Sequence, residues 1–131
     1  MPGEHVDVVR EVYARWGQGD FAASLDVADP LILFVLGPEF PDAGSYLGVE
    51  GLREYTRGFL EPWSHMTIEA EELTAAGDSV VVAVLQRGVG GESGIATELR
   101  YFQVWSFRGA RAIRLENFRE RAEALEAVGL R

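Results

Sequence analysis

Hydrophobic and polar positions alternate from Thr97 to Phe107, with Leu99, Tyr101, Gln103, Trp105 and Phe107 on one face and Glu98, Arg100, Phe102, Val104 and Ser106 on the other. A period of two marks a strand, and Tyr, Phe, Trp and Val suit a pleated, half-buried surface. The glycine of Arg108-Gly109 permits a tight turn, so a second strand is expected from about residue 110 towards Glu120. Both faces of this hairpin carry large side chains, which predicts that the sheet is covered and that Gln103, Arg114 and Glu116 lie among aromatics.

Earlier in the chain the period is helical. Val9, Val12, Tyr13 and Trp16 form the stripe of an amphipathic helix over about Glu4 to Trp16, ended by Gly17 and Gly19. Asp20 suits the N-cap of a short second helix, Phe21 to about Val27, and Leu31–Leu36 is an apolar run fitting a buried strand. Residues 37 to 48 are rich in glycine and proline and predict a loop, of a length that often serves as a rim or lid. Val49, Leu52, Thr56, Phe59 and Leu60 give a third helix stopped by Pro62. Strands follow from His65 to about Ala75 and from Val80 to Leu85, the latter the most continuous β-branched run. Ala122, Leu125, Val128 and Leu130 predict a closing helix. Helices gathered before consecutive strands predict an α+β fold, a cone-shaped curved antiparallel sheet with N-terminal helices packed on its concave face.

The 131 residues suit a single domain, 1–131, with a real core. The net charge of −9, with all 12 Lys+Arg positions being Arg, disfavours nucleic acid and anionic membrane as partners. The absence of cysteine excludes disulfides, thiolate catalysis and Cys-based zinc sites. Apolar runs are far short of a membrane span and no signal-peptide pattern is seen, so a cytoplasmic monomer or small oligomer is expected. Gly88, Gly90, Gly91 and Gly94 sit between strands with no Lys-Ser/Thr following, and read as turn residues, not a phosphate loop.

The segments VVREVYARWGQGDF, SYLGVEGLREYTRGF, DSVVVAVLQRG and VWSFRGARAIRLENFRERAEALEAVGL, in this order and spacing, resemble a SnoaL-like protein of the nuclear transport factor 2-like superfamily. The resemblance implies the cone, a ligand pocket at its open end and a homodimer formed through the sheet. Relatives include polyketide cyclases, ketosteroid isomerases, limonene-epoxide hydrolases and binding members, so the fold alone does not fix function. The isomerase tyrosine falls at Val12, beside Tyr13; its general base falls at Val35 and its oxyanion aspartate at about Gln103. Isomerase chemistry therefore has no proton acceptor here. The cyclase aspartate falls at Glu120, which keeps the carboxylate on a longer arm.

Glu120 is thus a candidate base in an apolar pocket, or a surface carboxylate at the start of the last helix. Arg114 and Glu116 share a strand face with Phe118 and Glu120; Arg114 can polarise a carbonyl or form a structural ion pair, and the face can equally meet a partner subunit. His65 is a candidate for proton transfer or a rim residue. Two distant histidines make a weak ligand set, and neither metal nor cofactor is expected. Tyr13, Trp16, Phe34, Tyr46, Tyr55, Trp63, Tyr101 and Trp105 are candidates to line the pocket or to pack the core, with Tyr46 and Gln103 the least core-like. The reading is a small-molecule-binding protein that acts on a cyclic or polyketide-like apolar substrate by cofactor-free acid/base chemistry. The alternative is a non-catalytic ligand-binding or dimerisation module of the same fold.

Overall fold

The computed structural model describes residues 2–130. In chain order the elements are α1 (Pro2–Gly17), α2 (Ala23–Val27), β1 (Ala28–Leu36), β2 (Gly44–Leu47), α3 (Gly48–Leu60), β3 (Trp63–Ala76), β4 (Ser79–Gly90), β5 (Ala96–Arg108), β6 (Arg111–Phe118) and α4 (Arg121–Ala127). The stripe read from α1 is the buried one: Val9, Val12, Tyr13 and Trp16 all face the core. Gly19, at φ 87°, ends that helix in left-handed backbone. Arg15 then ties the turn to α2, with ion pairs of 2.6 Å to Asp20 and 2.7 Å to Asp26.

The six strands form one curved, unclosed sheet in the order β2-β1-β6-β5-β4-β3. All neighbours are antiparallel except β1 and β6, which run parallel. The expected sheet was wholly antiparallel. β1 and β6 are joined through the whole of the intervening chain, so no hairpin forces them to oppose each other. The expected loop 37–48 also contains a strand: β2 returns along β1, pairing Gly44 with Leu36 and Leu47 with Leu33.

Helix α1 crosses β3 and β4, and α3 lies against β1 and β2, enclosing the main core. His5 anchors α1 to the β5–β6 turn, its Nε2 lying 2.9 Å from the Gly109 carbonyl and its ring stacked on Phe107 at 4.4 Å. On the opposite face α4 packs Ala124 against Val81 and Val104, flanked by Phe102 and Phe118.

One irregularity decides which side chains enter the core. Phe107 pairs with Ala112, but Ser106 pairs with Arg114, so an extra residue is accommodated at Ile113. Such a bulge shifts the side-chain parity of the strand beyond it. A regular hairpin would set Arg114 opposite Trp105 and Glu116 opposite Gln103. The bulged strand instead pairs Trp105 with Leu115 and Gln103 with Asn117. Leu115 and Asn117 are buried inside, and Arg114 and Glu116 face outward.

Candidate functional site

Between the concave sheet face and the helices lies a cavity of about 560 Å³. Its walls are aromatic: Trp16 from α1, Phe21 before α2, Phe34 from β1, Phe40 from the β1–β2 loop, Tyr55 and Phe59 from α3, Trp63 from β3 and Tyr101 from β5. Each ring is placed by the period of its element. Tyr55 and Phe59 are four apart on one face of α3 and stack at 5.8 Å, while Phe34 meets Tyr55 edge-on at 4.7 Å. The volume falls in the range that holds a drug-sized molecule.

The polar groups inside are few and ordered. Trp105 Nε1 donates to the Tyr13 hydroxyl at 3.2 Å, and that hydroxyl donates to the Gln103 side-chain carbonyl. Gln103 Nε2 then donates to Asn117 Oδ1 at 2.9 Å. The direction of this relay is fixed at its start. An indole N–H can only donate, so the tyrosine oxygen accepts there and spends its one proton on Gln103. Gln103 must therefore present its amino group to Asn117, which leaves the Asn117 amino group as a donor without a partner among the described residues. Gln103 and Asn117 both line the cavity, so an amide N–H of its floor has no acceptor among the described residues. Nearby, the Trp16 indole N–H also has no partner among the described residues. On another wall the Tyr101 hydroxyl donates to Gln86 Oε1 at 3.0 Å.

Among the described residues, Asp42 is the one charged residue of the lining. It sits half-exposed at the rim, in the β1–β2 loop, where its backbone carbonyl accepts from the Tyr46 hydroxyl at 3.2 Å. Burial, and then the nearby Asp42 carboxylate, push the phenols of Tyr55 and Tyr101 above the usual range. Burial, helped by the neighbouring Tyr101, raises Tyr13 well above it, against the opposing hydrogen bond from Trp105. All three stay protonated at neutral pH.

Of the residues put forward from the sequence, Trp16, Phe34, Tyr55, Trp63, Tyr101 and Gln103 line the cavity. Tyr13 and Trp105 stand behind its floor, holding Gln103 from the core side. Tyr46 packs behind Tyr55 and Phe34, at 5.0 and 6.1 Å, and is not part of the lining. His65 is exposed on β3, away from the cavity. Glu120, Arg114 and Glu116 are displaced from the expected site. Arg114 and Glu116 pair with each other at 3.1 Å on the outward face, for the bulge reason given above, and Glu120 is an exposed residue preceding α4. The residues the sequence did not single out are Asn117 and Asp42. The bulge concealed the first, and the second lay in a loop with no period to interpret.

Among the described residues there is no group of three or more metal-ligating side chains. No helix there is long and apolar enough to cross a membrane.

No curated protein sequence matches the chain. Among solved structures, a nuclear transport factor 2-like protein from Burkholderia thailandensis is 27% identical, with a TM-score of 0.78 over 92% of this chain and 95% of that one. TerC co-crystallised with polyporic acid is 20% identical, with a TM-score of 0.76 over 95% and 96%. A ketosteroid isomerase-like fold from Catenulispora acidiphila, in complex with trimethylamine, is 14% identical, with a TM-score of 0.74 over 95% and 93%. These likenesses extend over nearly the whole length of each chain and show a shared fold. Residues 9–115 match the SnoaL-like domain, and the chain belongs to that family.

Proposed function

We propose that this protein binds a small, largely flat, apolar ring compound that presents one hydrogen-bond-accepting oxygen to the Gln103–Asn117 floor. The observation that carries this reading is the unpartnered amino group of Asn117 at the base of a 560 Å³ aromatic cavity. A ligand carbonyl would supply the acceptor that this N–H lacks, one net hydrogen bond worth about 1 kcal/mol. The complexes of TerC with polyporic acid and of the Catenulispora protein with trimethylamine support small-molecule binding as a use of this fold.

The chemistry of the lining favours binding over turnover. An acid–base cycle needs groups that exchange protons near neutral pH. Here the phenols of Tyr55 and Tyr101 are held above their usual range, and among the described residues no imidazole or guanidinium lines the cavity. Glu120 and Glu116 stand outside it, which removes the base put forward from the sequence from contact with a bound molecule. The homodimer belongs to the same proposal. The outward face of β3–β5 carries an interlocked ladder, Glu69–Arg87–Glu98–Arg100–Glu71, on which a second copy would pack, and sedimentation at graded salt tests it.

The test is a titration followed by tryptophan fluorescence, since Trp16 and Trp63 both face the cavity. The probes are 2-acetonaphthone and 2-isopropenylnaphthalene, which differ in the oxygen. One good hydrogen bond is worth about 1 kcal/mol net, so the ketone should bind about fivefold tighter. Asn117→Leu should erase that preference while retaining the hydrocarbon. Equal binding of both probes to the native protein would contradict the assignment of the floor.

A further inference from the structure

We infer that the Asp42 end of the cavity is a recognition site for a compact organic cation, a tertiary or quaternary ammonium group carried on the ligand's apolar body. This rests on the reading that the cavity binds a small molecule, and it adds the charge of the ligand and the residue that selects it.

Three observations converge on that end. First, Asp42 lines the cavity, yet no Arg or His lies within ion-pair distance of its carboxylate among the described residues. Several other carboxylates of the chain do have such partners. Arg15 takes Asp20 and Asp26, Arg87 takes Glu69 and Glu98, and Arg121 takes Glu72. Second, the carboxylate is bordered by aromatic rings. Phe40, two residues before it, meets Tyr101 edge-on at 5.9 Å, and Tyr55 lies close enough for the carboxylate to act on its phenol. Ring faces carry negative quadrupole and attract an ammonium centre, most strongly where water is excluded. Third, among the described residues no cationic side chain lines the cavity, so a carboxylate- or phosphate-bearing ligand would find no countercharge there.

A methylated ammonium group matches this setting better than a primary one. It is weakly hydrated, so it loses little on entering an apolar cavity, and it contacts rings over its whole surface. The carboxylate supplies the countercharge without requiring a directed hydrogen bond. The net charge of −9 adds a long-range field that favours the approach of cations.

The test compares benzyltrimethylammonium with its uncharged carbon isostere, neopentylbenzene, on the native protein and on Asp42→Asn, by calorimetry or tryptophan fluorescence. The cation should bind native protein at least about tenfold tighter than the isostere. In Asp42→Asn that preference should fall to about threefold or less, the isostere changing by less than about twofold. Asp42 is a half-exposed loop residue, so the variant should fold. As a measurement that needs no variant, raising salt should weaken the cation and spare the isostere. Equal affinity of the two probes for native protein, or a preference that survives Asp42→Asn, would overturn the inference. If 2-acetonaphthone binds and benzyltrimethylammonium does not, the inference alone fails. If none of these probes binds, the cavity reading fails with it.

Discussion

Replacing Tyr13 by Phe removes a single oxygen, yet the structure assigns that oxygen two partners in the interior. It accepts from Trp105 Nε1 and donates to Gln103 Oε1, and all three side chains are buried. The ring stays, so packing against Trp16 and Trp105 at 4.7 and 6.2 Å is preserved. What changes is that an indole N–H and an amide carbonyl lose their partners together. Each orphaned group costs about 1–3 kcal/mol, and partial relaxation of the relay brings the sum to about 2–4 kcal/mol. For 131 residues the unfolding entropy is about 0.28 kcal/mol/K, so the thermal midpoint should fall by about 7–15 °C. The assay is thermal and urea denaturation followed by circular dichroism, with Tyr46→Phe as control. Tyr46 is half-buried and donates only to the Asp42 backbone carbonyl, so its loss should cost about 1 kcal/mol or less. Adding Gln103→Leu to Tyr13→Phe should cost less than the two changes separately, because the leucine has no carbonyl to leave unpartnered. A midpoint shift below about 2 °C for Tyr13→Phe would refute the relay.

Three further outcomes follow from the same structure. Tyr13, Tyr55 and Tyr101 have phenols raised above the usual range, so above about pH 10 the unfolded chain sheds protons that the folded one keeps. Stability is therefore intact below that pH and falls as pH rises beyond it. Alkaline titration at 295 nm should show these three tyrosines ionising together with unfolding, and gradual ionisation of all tyrosines in folded protein would contradict this. Gly88→Ala would set its methyl 2.8 Å from both Met66 Cε and Trp63 Cε3. Trp63 must give way, so the variant should lose about 1–3 kcal/mol and show altered Trp63 emission, checked by denaturation and fluorescence. Glu120→Gln should leave probe affinity unchanged within about twofold and stability within about 0.5 kcal/mol, because the side chain is exposed and makes no capping hydrogen bond.

The fold was legible because its signals are periodic. The α1 stripe, the run in β4 and the alternation in β5 each report a buried face, and the structure buries those faces. The alternation that sets Leu99, Tyr101, Gln103, Trp105 and Phe107 on one face of β5 was legible for the same reason, and the structure turns that face to the core and the cavity. The partner strand was not, because parity cannot be carried through a bulge that leaves no mark in composition. With one residue accommodated at Ile113, Arg114 and Glu116 exchanged sides with Leu115 and Asn117, and a charged candidate site became an amide floor. The family resemblance set Glu120 at the position of the cyclase aspartate, and the structure leaves that side chain on the surface. Asp42 and β2 lie in a stretch of glycine and proline, where pairing with β1 and not local pattern sets the backbone.

The central claim, that the Gln103–Asn117 floor receives a ligand oxygen, is tested most directly by NMR of the side-chain amide groups in 15N-labelled protein. On titration with 2-acetonaphthone the Asn117 NH2 pair should move furthest, followed by Gln103, and 2-isopropenylnaphthalene should move both much less. Ketone binding that leaves the Asn117 and Gln103 amide signals in place would contradict the account.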